Sequence, residues 1–251
     1  MTNGPASPGS FYGRRKGKQL RAAQSERLER LLPELRIVPP ERWLVGRSGQ
    51  TEFGAFFVSG EWSRPVLDPA TLFPSAREVW LEIGFGGGEH LAHQARSHPA
   101  VGFLGVEPFV NGVTKLLAAV ETEGLGNIRL WDRDAAELLP LLPPASLDRV
   151  YLLYPDPWPK RRQRKRRFIS EANLSGLARV MRPGAELRFA TDIDDYAGWT
   201  LARAAGHPDF AWDAASRSDW VDPWAGWPGT RYEAKARREG RGSAYLTFRR
   251  V

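Results

Sequence analysis

The chain has 251 residues, 42% of them apolar, and a formal charge of +7. That size suits one α/β domain with an N-terminal extension, and the charge is compatible with a polyanionic partner. No cysteine and only four histidines are present, which excludes disulfides and thiolate chemistry and leaves no metal-ligand spacing. With no run near the eighteen or so apolar residues of a membrane span, and no apolar secretory core, a cytoplasmic protein is expected.

Residues 1–10 are rich in Gly, Pro and Ser and are expected to be disordered. The basic segment from Phe11 to Lys18 follows. Leu28, Leu31, Leu32 and Leu35 then mark a helical apolar face, with Pro33 arguing against an unbroken helix. Residues 39–75 read as irregular. The expected organisation is a basic, partly disordered extension over 1–75 and a domain over 76–251.

From Val79 the pattern becomes strand–helix alternation. Strands are expected over 79–83, 102–106, 127–131, 149–154 and 186–190, with a closing strand around Tyr245–Phe248. Helices are expected through Leu91, Ala92 and Ala95, through Val113, Leu116, Leu117 and Val120, over 168–181, and from 191 to about 205. Repeated βα units of this length predict a parallel sheet with helices on both faces.

Ligands of open α/β sheets bind beyond the carboxyl ends of the strands. Four acids stand at or just after four successive expected strand ends: Glu82, Glu107, Asp134 and Asp156. The first strand runs into Gly84-Phe85-Gly86-Gly87-Gly88, where glycine allows close backbone approach to a ligand. A nicotinamide fingerprint requires Gly or Ala where Glu89 stands. Glu82 before the turn favours a cationic ligand, and S-adenosylmethionine, with its sulfonium and amino charges, fits better than a pyrophosphate. The alternative is a tight turn beside a solvated acid. Glu107 is suited to accept both hydroxyls of a ribose. Asp134 reads equally as a helix N-cap or as a contact to an adenine amino group.

In Tyr154-Pro155-Asp156-Pro157-Trp158-Pro159, three prolines stiffen a loop around one carboxylate and one indole. A basic tract from Lys160 to Arg167 follows at once, beside the expected ligand edge. Pro155-Asp156-Pro157-Trp158 with Lys160 and the basic run resembles the signature of the bacterial tRNA (guanine-N7)-methyltransferases. Leu81-Glu82-Ile83-Gly84-Phe85-Gly86, Ala190-Thr191-Asp192 and Thr230-Arg231-Tyr232-Glu233 are similar to further motifs of that family. The likeness runs from about residue 77 onward, with Phe11 to Lys18 similar to the family's N-terminal arm. Tyr154 stands where the family commonly has Phe, and residues 39–75 have no clear counterpart.

The resemblance implies a Rossmann-like class I methyltransferase fold. This is a mostly parallel seven-stranded sheet with helices on both faces and an antiparallel C-terminal strand. It implies S-adenosylmethionine as cofactor, held by Glu82, Gly84, Glu107, Asp134 and Asp156, and tRNA as substrate, contacted by Lys160, Asp192, Thr230, Arg231, Tyr232 and Glu233. The target it implies is N7 of the variable-loop guanine, with no metal and either a monomer or a homodimer.

Guanine N7 has an in-plane lone pair and no proton, so no general base is needed and in-line positioning dominates. The methylated base is cationic, and Asp156 is the candidate to stabilise that charge. Asp192 can accept from guanine N1–H and the amino group, or can cap the following helix. Lys160 and the arginines after it are expected on phosphates. Thr230 to Glu233 reads as a loop closing over the base. Two other readings stay open: a non-catalytic basic RNA-binding protein, and a class I methyltransferase with a non-tRNA substrate.

Overall fold

The computed structural model describes Gly13, residues 15–38 and residues 67–251. The expectations for residues 1–10, for Phe11, Tyr12 and Arg14, and for residues 39–66 lie outside the described residues.

Seven strands form one sheet: β1 (Glu78–Ile83), β2 (Val101–Val106), β3 (Ile128–Trp131), β4 (Leu147–Leu153), β5 (Met181–Thr191), β6 (Phe210–Trp212) and β7 (Ala244–Arg250). Their spatial order is β3-β2-β1-β4-β5-β7-β6. Strands β1 to β5 pair in parallel, and β7 runs antiparallel between β5 and β6. The expected sheet is the one observed. Strand β6, only three residues long, has no counterpart in the sequence reading, and β5 begins five residues earlier than expected.

Alternate residues of the central strands face opposite layers, as the pleat requires. Leu81, Ile83, Leu104, Val106, Val150 and Leu152 pack on one side, against α5 (Ala135–Leu138), α6 (Glu171–Val180) and α7 (Asp194–Ala204). Trp80, Phe103, Ile128, Leu130 and Tyr151 pack on the other, against α3 (Glu89–Ser97) and α4 (Val110–Glu123). Helix α6 starts after Ser170, whose hydroxyl accepts from Asn173 N, so Phe168 lies outside it.

Pro33 does not break the N-terminal helix. Helix α1 (Ala22–Leu35) runs through it. Leu28, Leu31, Leu32 and Leu35 lie against the α3–α4 layer, and that packing outweighs the missing backbone donor. The chain then bonds Ile37 N to Leu130 O at 2.8 Å, beside β3. Upstream, Asn111 holds the basic segment at the start of α4, accepting from Gly17 N at 2.8 Å and donating to Lys18 O at 2.8 Å. Two short helices, α2 (Pro69–Leu72) and α8 (Ser218–Val221), the helix α9 (Arg231–Arg238), and two 3-10 helices, Leu139–Leu141 and Arg161–Arg166, complete the described elements.

Candidate active site

The four acids stand along one edge, because β3, β2, β1 and β4 are neighbours and all point the same way. Across that edge they follow in the order Asp134, Glu107, Glu82, Asp156. The turn after β1 holds Gly84, Gly86 and Gly88 at φ of 74°, 58° and 78°, a region that side chains resist. Gly112 packs its Cα directly on this turn, since a Cβ there would lie 2.1 Å from Gly86 O.

Each acid is held differently. Glu107, 8% exposed, accepts from Gly86 N at 2.7 Å and from Phe109 N at 2.9 Å. Burial pushes its carboxyl above the usual glutamate range, with Asp156 adding to the shift and the two amides and Arg231 opposing it. Glu82 is not solvated. It is 3% exposed, with Oε2 2.7 Å from His90 Nδ1. Asp134 is the N-cap of α5 and accepts from Ala136 N at 2.9 Å. Its second oxygen has no partner among the described residues, so capping and ligand contact are compatible.

Asp156 has no hydrogen-bond or ion-pair partner among the described residues. Crowding by the surrounding protein raises its carboxyl above the ordinary aspartate value. Its loop is held from both ends. Tyr154 and Trp158 take positive φ of 48° and 42°, and Tyr154 N bonds Ala190 O at 2.8 Å. The Tyr154 hydroxyl donates to Ser243 Oγ at 2.9 Å, and Arg167 Nε donates to Pro157 O at 2.8 Å. Backbone angles of this kind persist only where neighbours enforce them.

The basic tract divides by role. Arg167 is 2% exposed, pairs with Asp195 and sits under the Tyr196 and Trp199 rings, at 4.7 and 5.0 Å from their centroids. It is a structural tie to the Asp156 loop and cannot meet a phosphate, which corrects the expectation for the arginines of the tract. Arg164 also pairs with Asp195, at 2.6 Å. Lys160, Arg161, Arg162 and Lys165 are exposed, with no ion pair among the described residues.

Asp192 does not cap α7. Ile193 N bonds Thr191 Oγ1 instead, and Asp192 Oδ2 receives Arg241 Nε at 2.8 Å and Nη2 at 2.7 Å. Oδ1 is left with no partner among the described residues. Thr230 to Glu233 is not a loop. Thr230 caps α9 by accepting from Glu233 N at 3.1 Å. Glu233 is 2% exposed and accepts from Trp227 Nε1 and Tyr245 OH at 2.7 Å each, with Arg237 also bonded to it.

Arg231 and Tyr232 lie over the glycine turn: a Cβ at Gly86 would stand 3.1 Å from Arg231 Nη2 and 3.5 Å from the Tyr232 hydroxyl. The Tyr232 ring stacks on Tyr154 at 6.5 Å, so the α9 start joins the glycine turn to the Asp156 loop. Among the described residues no contact brings Lys160 into this cleft. Sequence reasoning missed His90, Gly112, Trp227 and Arg241. Only Trp227 offered a signal in the sequence, standing with Trp220 and Trp224 in one tryptophan-rich stretch.

Among the described residues no cluster of His, Asp and Glu could hold a metal ion, and no helix is long and apolar enough to cross a membrane. The sheet order and the acid-fringed glycine turn define a class I S-adenosylmethionine-dependent methyltransferase. A family model described as a putative methyltransferase matches residues 76–246. A tRNA (guanine-N(7)-)-methyltransferase of Rhizobium meliloti (strain 1021) is 50% identical over 252 residues, spanning 100% of this chain and 99% of that protein. One of Agrobacterium fabrum (strain C58 / ATCC 33970) is 51% identical over 244 residues, 95% of this chain and 94% of that protein. The solved 16S rRNA methyltransferase KamB shares the fold at TM-score 0.50 and 20% identity, over 72% of this chain and 92% of that one. The chain belongs to the tRNA (guanine-N(7)-)-methyltransferase family.

Proposed function

We infer that this protein transfers a methyl group from S-adenosylmethionine to N7 of a guanine in tRNA, in the variable loop. The observation that carries the reading is Asp156, an unpaired carboxylate on a rigid loop, between a row of three further acids and a set of exposed cations. The residues present fit the cofactor. Glu107 keeps lone pairs for ribose hydroxyls beyond its two amide bonds, Asp134 has a free oxygen, and the glycine turn admits close approach. When bound, the cofactor supplies an electrophilic methyl group beside a positive sulfur.

Glu82 and Asp156 would balance that positive charge, and Glu107 and Asp134 would orient the nucleoside end. Asp156 also stands exposed where a cationic product base would need an anion. Asp192, its Oδ2 clamped by Arg241, offers Oδ1 to the guanine N1–H and amino donors. Lys160, Arg161, Arg162 and Lys165 would neutralise phosphates, giving affinity and position rather than sequence choice. Thr230 and Glu233 would act by holding Arg231 and Tyr232 over the cleft. Residues 76–251 form the proposed catalytic domain, with 15–38 packed on its α4 side.

Incubation with labelled S-adenosylmethionine and unmodified tRNA should give 7-methylguanosine in the variable loop, read by nucleoside mass spectrometry. Cofactor binding without transfer to any tRNA would overturn the substrate. Absence of cofactor binding would return the chain to a non-catalytic RNA-binding role.

A further inference from the structure

Glu82 and His90 form a buried pair at the end of β1, and the reaction derived above uses only the acid. His90 is 2% exposed, and its Nδ1 lies 2.7 Å from Glu82 Oε2. Across the ring, Gln94 Nε2 lies 3.3 Å from His90 Nε2. In that amide orientation Gln94 donates to Nε2, so the ring proton sits on Nδ1 and is donated to Glu82. Both ring nitrogens are then satisfied. The ring is wedged between Tyr151 and Trp227, with centroids at 4.7 and 5.1 Å. Trp227 is itself anchored by its bond to Glu233. The imidazole therefore cannot swing away from the carboxylate without disturbing two packed rings.

A glutamate has three side-chain torsions, and a buried one aimed at a cationic ligand gains from having them fixed beforehand. Here His90 fixes one oxygen of Glu82, while Oε1 has no partner among the described residues. We propose that His90 is a positioning residue for the methyl donor: its Nδ1–H holds the Glu82 carboxylate in the orientation that receives the donor's positive charge. This rests on the methyltransferase reading of the same site. It assigns His90 no proton transfer and no contact with tRNA.

The test compares His90→Asn, which keeps an amide N–H close to the Nδ1 position, with His90→Leu, which keeps the volume and removes the donor. His90→Leu should weaken S-adenosylmethionine binding about tenfold by calorimetry, the loss of one hydrogen bond to a charged group. His90→Asn should recover most of that loss. In steady state the KM for S-adenosylmethionine should rise in His90→Leu, while the KM for tRNA stays within about twofold. Should His90→Leu fail to fold, as judged by circular dichroism, His90→Gln replaces it. Its amide reaches the Nε2 side, so it should bind the cofactor more weakly than His90→Asn.

Equal cofactor affinity in the Asn and Leu (or Gln) variants overturns the proposal. So does a KM for tRNA that rises in step with that for the cofactor, since that marks a general packing loss. Failure of the unsubstituted protein to bind S-adenosylmethionine would instead reject the functional reading beneath it.

Discussion

Gly112→Ala tests whether the glycine turn is built to a fixed backbone geometry. The added methyl would stand 2.1 Å from Gly86 O and 3.0 Å from Gly86 C. Both are backbone atoms, so no rotamer change relieves the contact. Clearing it to 3.0 Å requires about 0.9 Å of relative movement between α4 and the turn. Helix α4 has little room to give, because Val110 N bonds Arg15 O at 3.1 Å and Asn111 is tied to Gly17 and Lys18. The turn is the softer partner, and its displacement breaks the 2.7 Å bond from Gly86 N to Glu107. Overpacking of this kind costs about 1–3 kcal/mol of stability. A misplacement near 1 Å at a positioned site costs about a hundredfold in rate. Thermal melting, calorimetric titration with S-adenosylmethionine and kcat/KM for methyl transfer measure all three effects. Gly126→Ala is the control, since nothing lies within 4 Å of a Cβ there, and it should leave all three unchanged. Gly112→Ala protein that binds the cofactor as tightly as the parent would refute the argument.

Asp156→Ala should abolish transfer while leaving tRNA affinity, measured by filter binding, within about threefold; near-normal turnover removes Asp156 from the chemistry. The raised Glu107 and Asp156 carboxyls give a pH dependence with a definite sign. A carboxyl whose folded value is raised stabilises the fold below its ordinary value, and that contribution is lost as pH rises through the folded value. Cofactor binding needs the anion and runs the other way, so affinity should fall as pH drops through the raised carboxyl values, above the range of an ordinary carboxylate. Glu107→Gln should flatten that profile, and an unaltered slope would assign the titration elsewhere. Lys160→Ala should lower the salt slope of tRNA binding by about one unit without moving the melting point. Arg167→Ala should do the reverse, destabilising by roughly 2–3 kcal/mol in urea melts because Pro157 O and two aromatic faces lose a buried partner.

The parallel core was legible because its signals are local. Short apolar runs ending in glycine or acid mark β1 to β4, and the regular return of an acid after each strand located the cleft. Other features were not legible. Helix α9 reads Arg-Tyr-Glu-Ala-Lys-Ala-Arg-Arg, too polar to show an apolar stripe. Its one helical signal, Thr230 followed by Glu233, is also the pattern of a capping box. The same four residues serve as cap and as family motif, and only their place in the fold separates the two uses. Pro33 argued against α1 by a rule that holds for isolated helices, whereas α1 is held by its leucine face. The division of the basic tract was invisible because Arg167 and Lys160 differ only in tertiary surroundings. Asp195, Tyr196 and Trp199, which bury Arg167, come from α7, some thirty residues away in sequence. Likewise nothing at His90 announced a partner eight positions earlier, since Glu82 is on a strand and His90 on the helix after it.

The position of β7 orders events during synthesis. Among the described residues strand β6 pairs with β7 alone, and β7 supplies Tyr245, which anchors Glu233 at the start of α9. The strands that carry Glu82, Glu107 and Asp134 and lead to Asp156 are all made before β5, although the Asp156 loop still waits for Arg167, Ala190 and Ser243. The acceptor side is completed later, because its clamp waits on a strand threaded in between two earlier ones. A ribosome-bound chain lacking only β7 should therefore hold its four acids along one sheet edge while being unable to hold α9 over them.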